Sequence, residues 1–198
     1  MPVTSPLLDA VRQLFDLQAD QLPALKEPIK AFLAGGVAVH YWVGARVTTD
    51  IDAEFSLVGT GYRNFLPIED VMAYLDEDGH TRAVHIDRNY TPVFALMHEG
   101  YVERARPLGG ALGGKGKLDI YVLSPEDLAI SKMARWAPND RQDVIALAQD
   151  GLLDAEELEA LALEAADTAV GHNPTLLRIN IREAIDHVRT HQPPRPSL

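Results

Sequence analysis

Apolar positions recur first at helical and then at strand-like intervals in the N-terminal part of the chain. Ser5 to Leu17 spaces its large apolar side chains three and four residues apart, which predicts an amphipathic helix. Lys30 to Ala34 is a short apolar run typical of a buried strand, and it leads through Gly35–Gly36 into a second predicted helix, Val37 to Val43. Asp50 to Val58 alternates acidic and apolar residues, as the two faces of a strand do. These patterns predict a strand, a glycine turn and a helix, followed by a second strand.

The middle of the chain carries weaker patterns. Ile68 to Leu75 has the spacing of a helix. Short apolar runs bounded by turn residues predict three strands: Ala83–Ile86, Val93–Met97 and Val102–Pro107. The glycine-rich segment Gly109 to Gly116 predicts a flexible connection, and Lys117 to Leu123 after it predicts one more strand.

From Ser124 onward the pattern is helical, and each predicted helix begins at a residue that can cap it. The predicted helices run from Ser124–Pro125 to Trp136, from Asn139 to Gln149, from the capping box of Asp154 and Glu157 onward, and from Asn173–Pro174 to Thr190. The proline-rich end predicts a disordered tail. We therefore expect an α/β (α+β) fold: a mixed sheet with flanking helices over residues 1–123, a helical part over 124–191 and a tail over 192–198.

The composition indicates a soluble protein. The 198 residues are 46% hydrophobic and 24% charged, which is ordinary for a globular chain. The sequence lacks an apolar run of about 18 residues, as a membrane span requires, and its N-terminus has no secretory pattern. The absence of cysteine excludes disulfides and thiolate metal sites, and it suits the cytoplasm.

The formal net charge of −11 limits the choice of partners. Proteins that bind nucleic acid through many phosphate contacts are usually basic. A nucleic-acid partner of this chain must therefore meet a local basic patch, or a site whose acidity is neutralised by bound metal. The charge argues against broad, non-specific binding of DNA or RNA.

The residues that point to chemistry surround the first glycine turn. Gly35 and Gly36 lie at a strand-to-helix turn, where a backbone without side chains can approach phosphate oxygens. Asp50 and Asp52 share one strand face and can hold two divalent cations about 3.5–4 Å apart. Asp119 in Lys-Leu-Asp-Ile-Tyr is the candidate third carboxylate, since an unpaired acid in an apolar strand needs a cation or a hydrogen-bond partner.

A Gly-Gly turn followed by an Asp-x-Asp strand resembles the signature of the nucleotidyltransferase superfamily. More narrowly, the segment from Arg46 through Thr48 to Asp50-Ile-Asp52 resembles the AbiEii-type toxin nucleotidyltransferases and their relatives. Further resemblance lies in Leu118 to Leu128, in Lys132 and Arg135, and in Asn139 to Asp143. It covers the chain from about Phe32 to Leu147 and implies a nucleotidyltransferase fold.

The resemblance implies two-metal phosphoryl transfer from a nucleoside triphosphate. Asp50 and Asp52 would bridge two Mg²⁺ ions, with Mn²⁺ as the other suitable ion, and Asp119 would hold the ion that activates the attacking hydroxyl. The nucleotide contacts would come from Gly35, Gly36, Arg46, Thr48 and Lys132.

The resemblance also suggests an RNA acceptor, such as a tRNA end, and a cognate antitoxin as regulator. Two alternatives stay open. One is transfer to a small hydroxylated molecule, as in antibiotic-modifying members of the superfamily, which the acidic charge fits better. The other is a non-catalytic binding or antitoxin-like module on the same fold.

Several of these residues are equally suited to structural roles. Lys132 can form a salt bridge with Asp143 on the following helix, and Arg46 can be the counter-ion of the acidic strand. Glu54 lies one step beyond Asp52 on the same face, where a solvated edge residue is expected.

Overall fold

The structure is a computed structural model that describes residues 5–44, 46–65, 67, 71–108 and 116–194. The chain divides into two compact units. The first comprises Met1–Tyr90 and Ala105–Leu123, and the second comprises Thr91–Arg104 and Ser124–Leu198. The fold is α+β, as the sequence predicted, and the segment Thr91–Arg104 belongs with the C-terminal helices instead of the sheet.

The first unit holds two helices and seven strands in its described part. In chain order they are α1 (Pro6–Asp20), β1 (Ile29–Leu33), α2 (Gly35–Val43), β2 (Asp50–Ile51), β3 (Ala53–Ser56), β4 (Val71–Leu75), β5 (Thr81–Ile86), β6 (Arg106–Pro107) and β7 (Leu118–Val122). Helix α1 begins after Ser5, whose hydroxyl accepts a hydrogen bond from the amide of Leu8, and Pro6 occupies its first turn.

The strands form two sheets that share one extended segment. One sheet has the order β3-β1-β7-β6 and the other β2-β5-β4. Strand β1 pairs in parallel with β7 and antiparallel with β3, while β2 pairs in parallel with β5. The predicted strand from Asp50 changes sheets at Asp52, because Asp50–Ile51 pairs with β5 and Ala53–Ser56 pairs with β1.

One face of this shared segment is buried and the other is open. Ile51 and Ala53 are buried, whereas Asp50, Asp52 and Glu54 on the alternate positions are exposed or half-buried. Helix α1 packs against β4 and β5, and α2 packs beside β2. The core beneath these helices includes Leu8, Leu14, Phe15, Ile29, Leu33, Val37, Val84 and Ile86. The acidic positions therefore lie on the open face.

The second unit is helical in its described part. A short 3₁₀ helix (Pro92–Phe94) precedes α3 (Tyr101–Arg104), α4 (Pro125–Met133), α5 (Pro138–Gln149), α6 (Ala155–Thr168) and α7 (Pro174–His191). The side chains of Ser124, Asp154 and Asn173 accept hydrogen bonds from the first turns of α4, α6 and α7, as predicted. None of the helices in the described ranges combines the length and apolarity needed to cross a bilayer.

A buried ion pair joins the two pieces of the second unit. Arg104 at the end of α3 donates to both carboxylate oxygens of Asp127 in α4, at 2.8 and 2.6 Å. Asp127 also accepts from the hydroxyl of Ser124 at 2.8 Å. Because the Asp127 side chain is fully buried, this bidentate pair fixes the segment 91–104 against α4.

Three predicted elements in the middle of the chain are wrong. The expected helix Ile68–Leu75 is strand β4 over Val71–Leu75, where pairing with β5 overrides the helical spacing; residues 68–70 lie outside the described residues. Val93 and Phe94, the first residues of the expected strand Val93–Met97, belong to the 3₁₀ helix instead. Pro92 favours the start of a helix, and it has no N–H group to donate to a neighbouring strand. The expected strand Val102–Pro107 is mostly α3, and only Arg106–Pro107 pairs with β7.

Two other predicted segments, the glycine-rich connection and the C-terminal tail, lie largely outside the described residues. Residues 109–115 of the glycine-rich connection lie outside the described residues, as do residues 195–198 of the predicted tail.

Candidate functional site

Gly35 opens α2 and lies directly against the carboxylate of Asp52. Its φ of +57° is in the left-handed region, and a Cβ atom there would lie 1.6 Å from Oδ2 of Asp52. The amide of Ala34 also donates to the Asp52 carbonyl at 2.9 Å. Conformation and space therefore both require glycine, and the absence of a side chain brings the carboxylate to the N-terminus of α2. The partial positive charge of that helix end favours an anion there.

Gly36 makes the same kind of close approach to Thr48. A Cβ atom at Gly36 would lie 2.8 Å from both Cβ and Oγ1 of Thr48. The Thr48 hydroxyl also lies 3.3 Å from the amide of Asp50, which donates to it. The loop before β2 is thereby held against the first turn of α2.

Asp50 projects from β2 on the open face. Its side chain is 53% exposed, and its Oδ1 lies 3.2 Å from the hydroxyl of Thr49, which donates to it. The same Oδ1 lies 3.2 Å from Nε2 of His85, which is directly opposite on β5. No sequence motif had indicated His85.

Asp87 brings a further carboxylate to this edge. The register pairs Ile51 with Ile86, and the amide of Asp87 donates to the Ile51 carbonyl at 3.0 Å, which places Asp87 beside Asp52. Paired residues of adjacent parallel strands lie about 4.8 Å apart and point to the same face. Asp87 Oδ1 accepts from the amide of Asn89 at 2.8 Å. Asp50, Asp52 and Asp87 therefore lie along the carboxyl ends of two neighbouring strands, but among the described residues only Asp76, Asp78 and His80 bring three potential ligand atoms within 4.8 Å of one another.

Asp87 was not among the predicted site residues, although the sequence pattern carries a signal for it. Asp87 ends the run Val-His-Ile-Asp, an apolar strand closed by an acid. Only the pairing of β5 with β2 distinguishes it from other acids that follow strands.

Asp119 does not join these carboxylates, contrary to the expected convergence. It is in register with Lys30 on β1, whereas Asp52 lies beside Ala34, four residues further along that strand. This offset is about 13 Å along the strands, and β1 separates β3 from β7 by about 10 Å across the sheet. Asp119 is therefore too far from Asp52 to share a cation with it in this structure.

Tyr90 lies near the acidic face. Burial raises the pKa of its phenol, and the negative charges of Asp52 and Glu54 raise it further. The phenol is therefore protonated at neutral pH and can donate a hydrogen bond to an anion. No feature of the sequence pattern had indicated it.

Arg46 lines a different cleft of about 200 Å³. The described residues around this cleft include His40, Tyr74, Asp76 and Arg82, but neither the two glycines nor Asp50 and Asp52. The Arg46 carbonyl contacts Nδ1 of His40 at 2.7 Å, toward the C-terminal end of α2.

A set of three potential metal ligands in the hairpin between β4 and β5 has a structural explanation. Ligand atoms of Asp76, Asp78 and His80 lie within 4.8 Å of one another. Asp76, however, accepts from the amides of Asp78 and His80 and from Arg82 Nε, at 3.1, 2.8 and 2.9 Å. The Arg82 hydrogen bond is the main cause of the lowered pKa of Asp76. This carboxylate holds the hairpin turn.

Lys132 in α4 is engaged within the second unit. Its Nζ lies 2.7 Å from Oδ2 of Asp143 in α5 and 3.9 Å from Oδ1 of Asp140, and its side chain is 7% exposed. Arg135 donates to both oxygens of Asp140, at 2.8 and 2.7 Å. The salt bridge with Asp143, one of the two roles expected for Lys132, is present, and it is buried. A phosphate contact by Lys132 stays a prediction.

The carboxylates and glycines fit the groups that phosphoryl transfer requires. Carboxylate oxygens of Asp50, Asp52 and Asp87 are hard ligands suited to Mg²⁺ or Mn²⁺. Asp52 and Thr48 fill the space that side chains at Gly35 and Gly36 would take, at a helix end that favours anions.

Comparison with protein-family models identifies the chain over residues 12–188 as matching the family described as "Nucleotidyltransferase of unknown function (DUF6036)". Comparison with curated proteins and with solved structures found no match. The matched range includes the glycine turn, the open acidic face and the ion pairs of α4 and α5. The narrower resemblance to AbiEii-type toxins stays a prediction. The chain belongs to this nucleotidyltransferase family of unknown function.

Proposed function

We propose that this protein is a metal-dependent nucleotidyltransferase that moves a nucleoside monophosphate from a nucleoside triphosphate to an acceptor hydroxyl. The observation that supports the proposal is the contact of the Asp52 carboxylate with Gly35 at the start of α2, with Asp50 on the same strand face and Asp87 at the end of the adjoining strand β5. Three carboxylates would repel a triphosphate, and a bound cation makes the two compatible.

Each group has a defined role in this proposal. The backbone of Gly35 and Gly36 at the start of α2 binds phosphate oxygens. Asp50, Asp52 and Asp87 would hold the divalent cation, Mg²⁺ or Mn²⁺, with Asp87 in place of Asp119. The bound metal supplies charge neutralisation at the phosphates and lowers the pKa of the attacking hydroxyl.

We propose two classes of acceptor. The first is an RNA end, with an antitoxin partner as regulator, and it is supported by the resemblance of the segment Arg46 to Asp52. A small hydroxylated molecule is favoured by the net charge of −11, which weakens attraction to polyanions.

Transfer of label from each α-labelled nucleoside triphosphate tests the proposal. The protein is incubated with Mg²⁺ or Mn²⁺ and with either total RNA or a panel of amino sugars. We expect label on one of the two acceptor classes. Label on neither, with nucleotide binding retained, would support a non-catalytic binding module.

Matched carboxylate variants test the site assignment in the same assay. Asp52→Asn and Asp87→Asn are expected to lower transfer about 1,000-fold, because metal-centred charge stabilisation contributes several kcal/mol. Asp119→Asn on the same sheet face is the control, and it should retain activity. The reverse result, with loss in Asp119→Asn and activity in Asp87→Asn, would restore Asp119 as the third carboxylate.

A further inference from the structure

We propose that the outer edge of β4 binds an extended segment of another protein with basic residues at both ends, as an added strand of the sheet β2-β5-β4. This inference does not rest on the proposed function. It concerns a surface that neither the sequence motifs nor the family match assigns.

Strand β4 lies at the edge of its sheet. The strand order is β2-β5-β4, and within the described ranges β5 alone pairs with β4. At the hairpin end of this pair, the amide of Asp76 donates to the carbonyl of His80 at 2.9 Å. Hydrogen-bonded and non-hydrogen-bonded pairs alternate along an antiparallel ladder, so Met72 and Tyr74 exchange backbone hydrogen bonds with β5. The backbone groups of the remaining residues of β4 therefore point away from β5.

These remaining residues, Val71, Ala73 and Leu75, also expose their side chains. Val71 and Leu75 are each 61% exposed, and Ala73 and its cross-strand partner Ala83 are exposed as well. Helix α1 packs against the opposite face of the pair, where Val84 is buried. An apolar face next to outward-pointing N–H and C=O groups is a template for one more strand.

The composition of β4 is that of a strand with a partner on each side. Edge strands that stay unpaired usually carry a lysine, a proline or a bulge, which blocks the approach of another strand. The sequence of β4 is Val-Met-Ala-Tyr-Leu, without a charge or a proline. Its register with β5 runs through five consecutive pairs without a bulge. The strand itself therefore carries none of these protections.

The charges around β4 indicate the chemistry of its partner. In the sequence, Glu69-Asp70 precede the strand and Asp76-Glu77-Asp78 follow it, and Glu77 and Asp78 are exposed. A second copy of this chain would bring the same acidic flanks to each end of the pair, and like charges on opposite strands are destabilising. A segment with lysine or arginine at both ends is attracted instead. The partner is therefore a basic segment with apolar residues at alternate positions.

The test uses the full chain and a fluorescently labelled peptide, Lys-Val-Thr-Val-Thr-Val-Lys, whose binding is measured by fluorescence anisotropy. The control peptide has glutamate in place of both lysines and the same apolar core. We expect saturable binding of the lysine peptide, with a Kd lower than that of the glutamate peptide by about tenfold or more.

Two edge variants test where the peptide binds. Ala73→Pro removes an N–H that points away from β5, so the pairing of β4 with β5 is retained and an added strand is opposed. Leu75→Lys changes an exposed side chain and places on the edge a charge that repels the lysine peptide. Each should raise the Kd about tenfold or more. Thermal melting confirms that each variant is folded.

A pair of charge variants tests the acidic flank. Glu77→Gln combined with Asp78→Asn should weaken binding of the lysine peptide. Glu99→Gln combined with Glu103→Gln is the matched control, since it removes two exposed acids from the second unit. The control should bind the peptide as the wild type does, because general attraction to an acidic protein does not depend on the position of the acids.

The inference is overturned by any of three results: no saturable binding of the lysine peptide, equal affinity for both peptides, or unchanged affinity in both edge variants. Sedimentation velocity adds a fourth. A wild-type dimer that Leu75→Lys dissociates would assign the edge to a second copy of this chain instead of a basic partner. None of these results bears on nucleotidyl transfer, which the label assay measures separately.

Discussion

At the scale of single residues, the two glycines differ in what they require. Gly35 combines a left-handed φ of +57° with a carboxylate against its α-carbon. Gly36 has an ordinary φ and is restricted only by Thr48. A glycine such as Gly79, with φ of +80° and open space around it, carries the conformational requirement alone. A comparison of Gly35 with Gly79 therefore distinguishes the cost of a left-handed backbone conformation from the cost of a steric conflict.

Gly35→Ala is expected to lower the free energy of unfolding by about 3 kcal/mol. The left-handed conformation costs about 1–2 kcal/mol for a residue with a Cβ atom, and the conflict with Asp52 adds an overpacking cost of about 1–3 kcal/mol. Gly79→Ala is the control, and it should show the conformational cost only. Equal losses in urea unfolding of the two variants would contradict close contact between Asp52 and Gly35.

At the scale of elements, the contact between α4 and α5 depends on charged groups that are nearly inaccessible to water. Lys132 and Asp143 are 7% and 6% exposed. Removal of one partner leaves the other buried without its counter-charge, whereas removal of both leaves an apolar contact. Arg135 and Asp140 form a second ion pair in the same contact.

Lys132→Met should destabilise the protein by about 3–5 kcal/mol, and the double variant Lys132→Met with Asp143→Leu should recover most of that loss. Urea unfolding measures both. Nucleotide affinity of the folded double variant then tests the predicted phosphate contact. An affinity equal to that of the wild type would show that Lys132 acts only within the second unit.

Asp140 in the same contact predicts a dependence of stability on pH. Burial alone would raise its pKa, but hydrogen bonds from Arg135 and from the amide of Ala137, with the charge of Lys132, hold the pKa below its usual value. A carboxyl with a lowered folded-state pKa stabilises the fold above its unfolded pKa, about 3.9, and loses this contribution as the pH falls through the folded value. The stability difference between wild type and Asp140→Asn should therefore shrink on acidification below about pH 4. A difference that is constant from pH 7 to pH 3 would contradict this assignment.

At the scale of the whole molecule, the net charge of −11 and the open acidic face have one common consequence. Carboxylates that are close together on one face destabilise the folded chain, and a cation bound by the folded state alone relieves this. Stability should therefore depend on divalent cations beyond the general effect of salt.

Mn²⁺ or Mg²⁺ at 100 times its Kd should stabilise the protein by about 2.7 kcal/mol. Thermal melting measures the shift, with sodium chloride at matched ionic strength as the reference. Asp52→Asn should melt at or above the wild-type temperature without metal, and should lose most of the metal-dependent shift. A shift that sodium chloride reproduces would argue against a specific site.

The elements with strong local signals were predictable. Caps at Ser5, Ser124 and Asn173 start helices where expected, because one side chain satisfies free amides of the first turn regardless of the rest of the fold. The helix expected at Ile68–Leu75 was wrong because β4 is stabilised by its pairing with β5, and local spacing does not reveal pairing.

The sequence by itself determined the glycine turn, the Asp50–Asp52 strand and the helices of the second unit, since each depends on residues close together in the chain. Only the tertiary structure decided which other side chains face Asp52. The offset of β7 against β1 carries Asp119 away from it, and the parallel pairing of β5 with β2 brings His85 and Asp87 to the same edge. Register between strands is set by the packing of whole faces. A motif can therefore name Asp50 and Asp52, but which side chains lie beside them depends on the register of the sheet.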